Sequence, residues 1–160
     1  MSLTMRRRIV AGKTSDGRST VAEDAQDIAS AEPLPGYFLQ ELWSQPTLPA
    51  GVDDRGVAAG PIGIEPSPEG ALVRVLTIHP VEADDWAPNL HGDTNRHVLT
   101  LVSGTVDLLL EDQETTLVPG DTVVLSGHVH DWRNTYGEAA VLVYTTFPLH
   151  PDPSDVPSSS

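Results

Sequence analysis

The sequence predicts an all-β chain folded as a sandwich or barrel, and three observations carry that expectation. Glycine and proline, 13 and 14 copies in 160 residues, punctuate the chain too often for long helices. Short runs with strand character lie between them. From Ala71 onward these runs come at close spacing with tight turns, the pattern of a sandwich or barrel.

Taken in order, the candidate strands are residues 7–11, 18–21, 37–43, 71–78, 96–102, 105–110, 114–118, 122–125, 130–134 and 140–147. Only 21–31 has even weak helical character, and Asp24 and Asp27 give it a poor amphipathic face. Residues 45–70 are dense in Gly and Pro. They read as a long irregular connection, because what precedes them is too small to fold alone. Val102-Ser103-Gly104 and Glu111-Asp112-Gln113 read as turns between successive strands, and Pro119-Gly120-Asp121 turns directly into 122–125. Thr135-Tyr136-Gly137-Glu138 reads as the last hairpin turn. The expected organisation is one folded domain: N-terminal strands and an irregular lead-in over 1–70, a barrel over 71–150, and a disordered Pro-, Ser- and Asp-rich tail over 151–160. Met5 is a candidate natural start, so residues 1–4 are set aside.

Composition excludes several functions. There is no cysteine, so any metal must sit on nitrogen and oxygen ligands. A net charge of −14 argues against nucleic acid and anionic membranes, which both reward Lys and Arg. No apolar run approaches the roughly 18 residues needed to span a bilayer. The arginines at the start, Arg6, Arg7 and Arg8, have no apolar stretch behind them, unlike a secretory signal, so a cytoplasmic location is expected.

Six histidines are present, and His91, His97, His128 and His130 fall close together in the strand-rich half. His91 and Asp93 share a face if their stretch is extended. His97 heads a strand whose same-face residues are Leu99 and Leu101, so it should point inward. His130 shares a face with Trp132 and should also point inward, while Asp131 and Arg133 should lie on a wet face. A lone core-facing histidine is more often a hydrogen-bonded core residue than a ligand. Three of them with one carboxylate fit a metal better, because buried polar groups need partners. Imidazole and carboxylate suit Zn, Mn, Fe, Ni and Cu alike, so the donors do not name the ion.

The stretch from Trp86 to Pro148 resembles the small single-domain cupins of the RmlC-like jelly-roll superfamily. Their first motif, G-x5-H-x-H-x3,4-E-x6-G, is matched by His91-x-Asp93, three residues, His97, six residues and Gly104. Their second, G-x5-P-x-G-x2-H-x3-N, is matched by Gly120, then Gly127, two residues, His130, three residues and Asn134. Residues 6–10 and 37–43 look, more weakly, like the lead-in strands of an uncharacterised cupin group. The departures are specific. The leading Gly of the first motif is missing, Asp93 stands for its second His, and His97 stands for its Glu. The second motif lacks its Pro and is one residue short. The resemblance implies a double-stranded β-helix, or jelly-roll, barrel with extra N-terminal strands. It also implies one divalent transition metal per chain, Fe, Mn, Zn or Ni, held by His91, His97 and His130 with Asp93 as a possible fourth ligand.

Around that site the sequence offers a substrate pocket. Trp132 is pocket wall, core packing or both. His128 is an exposed rim residue or a proton shuttle. Arg74, the one basic residue in an apolar strand, anchors a substrate carboxylate or faces solvent. Tyr144 is a general acid or a packing residue. His79, before Pro80, reads as structural, and His150 as idle.

Three functions fit these residues. The first is a metal-dependent enzyme of dioxygenase type acting on a small organic molecule. The second is a non-redox isomerase, cyclase or lyase like the small polyketide-cyclase cupins, in which the ion polarises a carbonyl. The third is a barrel that binds a small ligand without chemistry. A homodimer is expected, because strands 7–11 and 37–43 need a sheet to join and a partner's edge would supply it.

Overall fold

A computed structural model describes residues 6–51, 62–63 and 66–149. These form eleven strands and no helix: β1 (Arg8–Lys13), β2 (Ser19–Ala25), β3 (Ser30–Leu34), β4 (Tyr37–Gln45), β5 (Ala71–Ile78), β6 (Asn95–Ser103), β7 (Val106–Leu110), β8 (Glu114–Leu117), β9 (Thr122–Ser126), β10 (His130–Arg133) and β11 (Ala140–Pro148). Every pairing between them is antiparallel. One sheet has six strands in the order β3-β4-β5-β11-β6-β9, a second has three in the order β10-β7-β8, and β1 and β2 form a ribbon of their own. The tail expected at 151–160, and His150 beside it, lie outside the described residues.

The weak helical reading of 21–31 is overturned. Thr20 and Val21 are β-branched and pair with Gly12 and Ala11, which draws the first part into β2. The second part becomes β3, which lies at the edge of the large sheet, where Pro33 is tolerated because no ladder bond is asked of it. Two turns also differ from expectation. Gly104, at φ 79°, leads from β6 into β7, and the turn at 135–138 leads from β10 into β11. In each case the two strands belong to different sheets. These turns are corners of the barrel rather than hairpins.

Alternation along the strands sorts the inner face of the large sheet into rows. Leu39, Leu76, Leu142 and Leu101 face one another across β4, β5, β11 and β6. The next row reads Glu41, Arg74, Tyr144, Leu99 and Val123. The row beyond it reads Leu72, Thr146, His97 and Leu125. The first row is buried hydrocarbon and joins Val106, Leu108, Leu117 and Trp132 of the smaller sheet in one core. The following rows place polar groups inside the barrel, and there the site is built.

On the outer face of the small sheet Asp107 collects its neighbours. Thr116 and Tyr136 each donate to its Oδ1 at 2.7 Å, and Arg133 Nη2 donates to Oδ2 at 2.9 Å. Burial pushes this carboxyl up, but the three donors together outweigh burial and hold it below its ordinary value. A carboxyl lowered in the folded state adds stability above its unfolded pKa and gives it up as the pH falls through the folded value. Asp107→Asn should therefore cost about 2 kcal/mol near neutrality. The gap to the parent protein should shrink below about pH 4. Urea unfolding at the two pH values checks both statements, and an equal gap at both would contradict the charge argument.

Candidate metal centre

The two histidine-bearing segments meet through a pair of backbone hydrogen bonds. His91 N–H donates to the His130 carbonyl at 3.0 Å, and His130 N–H donates to the His91 carbonyl at 2.9 Å. Residues paired in this way project their side chains to the same side of a ladder. The two imidazoles accordingly lie with ring centroids 4.7 Å apart. Close approach of the loops depends on two glycines. A Cβ on Gly92 would sit 3.0 Å from the Gly127 carbonyl oxygen, and one on Gly127, at φ 70°, would sit 2.8 Å from that of Asp93.

Each ring is then fixed by its Nδ1. His91 Nδ1 lies 2.8 Å from the Asn89 carbonyl, and His130 Nδ1 lies 2.8 Å from the His128 carbonyl. A carbonyl only accepts, so both Nδ1 atoms carry a proton, and in the neutral tautomer this leaves the lone pair on Nε2. No hydrogen-bond partner holds either Nε2 among the described residues. Burial, opposed by the bond to the His128 carbonyl and helped by the nearby His91 and His97, lowers the His130 pKa and so favours the neutral ring.

His97 comes from the large sheet. Thr146, its cross-strand partner on β11, meets its Nδ1 at 2.7 Å, and its Nε2 lies 2.5 Å from Asp93 Oδ2. The other Asp93 oxygen accepts the Asn95 N–H at 2.8 Å, a local turn that fixes the carboxylate. His91, Asp93, His97 and His130 all line a single cavity of about 420 Å³. The four residues expected as ligands are therefore brought together.

Among the described residues, no three His, Asp or Glu side chains stand as a ready-made coordination set. Asp93 and His97 instead meet each other, donor atom to donor atom. The donor set fits a divalent ion: two oriented Nε2 lone pairs, one imidazole held by Thr146, and one carboxylate.

The pocket residues separate. Trp132, Arg74 and Tyr144 line the cavity. His128 does not; it is exposed, its Nδ1 accepts the Ser126 N–H at 3.0 Å, and its backbone carbonyl is what orients His130. Arg74 is not solvent-facing but 2% exposed, with Nε and Nη2 at 2.9 and 2.6 Å from Glu41 Oε2. The wet face expected for Asp131 is also wrong, since this residue is 2% exposed. Segment 81–91 folds over β10, with Val81 N–H on the Asn134 carbonyl and Asn89 N–H on Asp131 Oδ2 at 2.7 Å. Asp131 thereby holds the residue whose carbonyl fixes His91.

No family model and no curated protein matches the sequence. Solved structures do match it. An RmlC-like cupin from Shewanella frigidimarina NCIMB 400 is 16% identical with a TM-score of 0.51, over 80% of this chain and 90% of that one. The fold is that of a small cupin. KdgF from Halomonas sp. is 14% identical with a TM-score of 0.50, over 77% of this chain and 88% of that one. Hydroxypropylphosphonic acid epoxidase from S. wedmorenis is 16% identical with a TM-score of 0.51, and the match spans 76% of this chain and 56% of the epoxidase.

Several residues around this cavity went unnoticed in the sequence. Thr146 was legible, since it alternates with Tyr144 and Leu142 on the face that His97 meets. The Asn89 and His128 carbonyls leave no sequence signal. Tyr37, on β4, lines the cavity and donates to the Trp132 carbonyl at 2.8 Å. Burial and the neighbouring Asp131 push its pKa up to about 12, so it remains a donor.

Proposed function

We propose that this cupin is a metal-dependent enzyme of dioxygenase type that acts on a small organic molecule. The convergence of His91, His97, His130 and Asp93 on one cavity, with two Nε2 lone pairs held ready, carries the reading. When bound, a redox-active ion supplies Lewis acidity and electron transfer to dioxygen. The protein supplies the rest. The Asn89 and His128 carbonyls and Thr146 orient the rings. Leu99, Leu125 and Trp132 line an apolar wall that keeps water from the polar end. Tyr144, whose phenol is pushed up by burial against the opposing pull of Arg74, holds a proton at its hydroxyl for a reacting oxygen.

Metal analysis of protein made without a histidine tag, joined to an oxygen-electrode trace, tests this. Iron with oxygen consumption supports it. Zinc or manganese without oxygen consumption would move the reading to an isomerase, cyclase or lyase. Absence of any metal would leave a small-ligand carrier.

We further propose that the protein works as a homodimer in the cytoplasm. Strand β4 joins the chain's own sheet, but β1 and β2 pair only with each other. A two-stranded ribbon alone is marginal in water, and a partner's sheet would support it. Light scattering at micromolar concentration should give twice the 17.1 kDa of one chain. A monomer mass would refute the pairing. No described helix is long and apolar enough to cross a membrane.

A further inference from the structure

The charge pattern of the cavity says what kind of molecule it takes. Arg74 is the one cationic Lys or Arg among the described lining residues, and Glu41 already holds it through two short bonds. A third donor contact, from Nη2 to the Gly63 carbonyl, fixes the guanidinium further. The other lining residues with formal charge are Asp93 and Asp131, both acidic. A ligand carboxylate or phosphate would have to compete with Glu41 for a buried cation while facing two further carboxylates. In a low-dielectric cavity that arrangement is costly.

The remaining wall is apolar. Leu39, Leu76, Leu99, Leu125 and Trp132 line it. Tyr144 stands in the same row as Glu41 and Arg74, its ring edge-on to His97 with centroids 6.1 Å apart. It therefore sits between the apolar wall and the polar end. Its hydroxyl oxygen accepts a hydrogen bond from Arg74, which only donates, so the hydroxyl proton is left for a ligand oxygen.

We propose that the cavity binds a neutral molecule with an apolar body and one hydroxyl or carbonyl oxygen, which accepts from Tyr144 beside the Glu41-neutralised Arg74. This deepens the reading of the cavity as the substrate site, but needs no metal. A volume of about 420 Å³ suits a small organic ligand.

The test uses the full chain after chelator treatment, so that a carboxylate has no ion to bind and a failed metal assignment leaves the result intact. Cyclohexylmethanol and cyclohexanecarboxylate are titrated separately while the backbone amides of Leu99, Leu125 and Trp132 are followed by NMR. The alcohol should shift these amides and bind at least about tenfold more tightly than the acid. Tyr144→Phe should weaken the alcohol about fivefold, the loss of one hydrogen bond. Glu41→Gln, if its circular dichroism matches that of the parent, should reverse the preference by freeing Arg74 for the carboxylate. If that variant fails to fold, the parent preference and Tyr144→Phe still decide. Equal or tighter binding of the acid to the parent protein overturns the proposal. So does an alcohol affinity that Tyr144→Phe leaves unchanged, or a folded Glu41→Gln that gains nothing for the acid.

Discussion

His130→Ala is expected to strip most of the bound metal while the barrel stays folded. The side chain lies at the end of β10, where it contributes a ring held by the His128 carbonyl, and the core around Leu101 and Leu142 does not depend on it. Removing even an outer partner of a metal ligand costs roughly 10–100-fold in affinity, and removing the ligand itself should cost more. His91→Ala and His97→Ala should behave alike. His128→Ala should not, because that imidazole is outside the cavity and only its backbone carbonyl serves the site. Metal content by elemental analysis, with circular dichroism to confirm the fold, reads all four variants. A full equivalent of metal in each of the three ligand variants would return these histidines to ordinary cavity-lining residues.

Asp131→Ala makes the complementary case. Its carboxylate holds the Asn89 N–H at 2.7 Å, and the Asn89 carbonyl holds His91. Loss of this support should loosen His91 without removing any donor, so metal affinity should fall about 10–100-fold. A competitive chelator titration measures that drop. Affinity unchanged from the parent would show that the pair of backbone bonds between His91 and His130 suffices to place the ring.

What the sequence disclosed follows from the range of the interactions involved. His97 was legible because strand alternation puts Leu99 and Leu101 on its own face, a local property. That His91, Asp93, His97 and His130 belong together was legible through motif spacing, and the four do line one cavity. The rest depends on partners distant in the chain. Asp131 alternates as an outward residue, yet the segment carrying Trp86 and Asn89, some 42 residues away at Asn89, covers it. Arg74 looked exposed because a lone Arg in an apolar strand has no local reason to be buried. Its reason is Glu41, 33 positions earlier, brought opposite by the pairing of β4 with β5. Strand existence was readable from composition and turns. Which sheet each strand joins was not, because the corners at Gly104 and 135–138 look like hairpin turns until their flanking strands are seen to part.

Arg74→Met should cost about 3–5 kcal/mol of stability, the usual effect of leaving a buried charge without its partner. Glu41, only 9% exposed, would lose both guanidinium bonds to its Oε2. Arg74→Met combined with Glu41→Leu should recover most of that loss, because an apolar pair of similar volume avoids desolvating two charges. The two sites face each other in register across β4 and β5, so their effects should be strongly non-additive. Urea denaturation of the parent, both single variants and the double variant closes the cycle. Recovery in the double variant would mean that the ion pair is not retained for stability, which leaves its place in the cavity wall as the reason for keeping it. A double variant as unstable as the worse single one would mean that the pair itself holds β4 to β5.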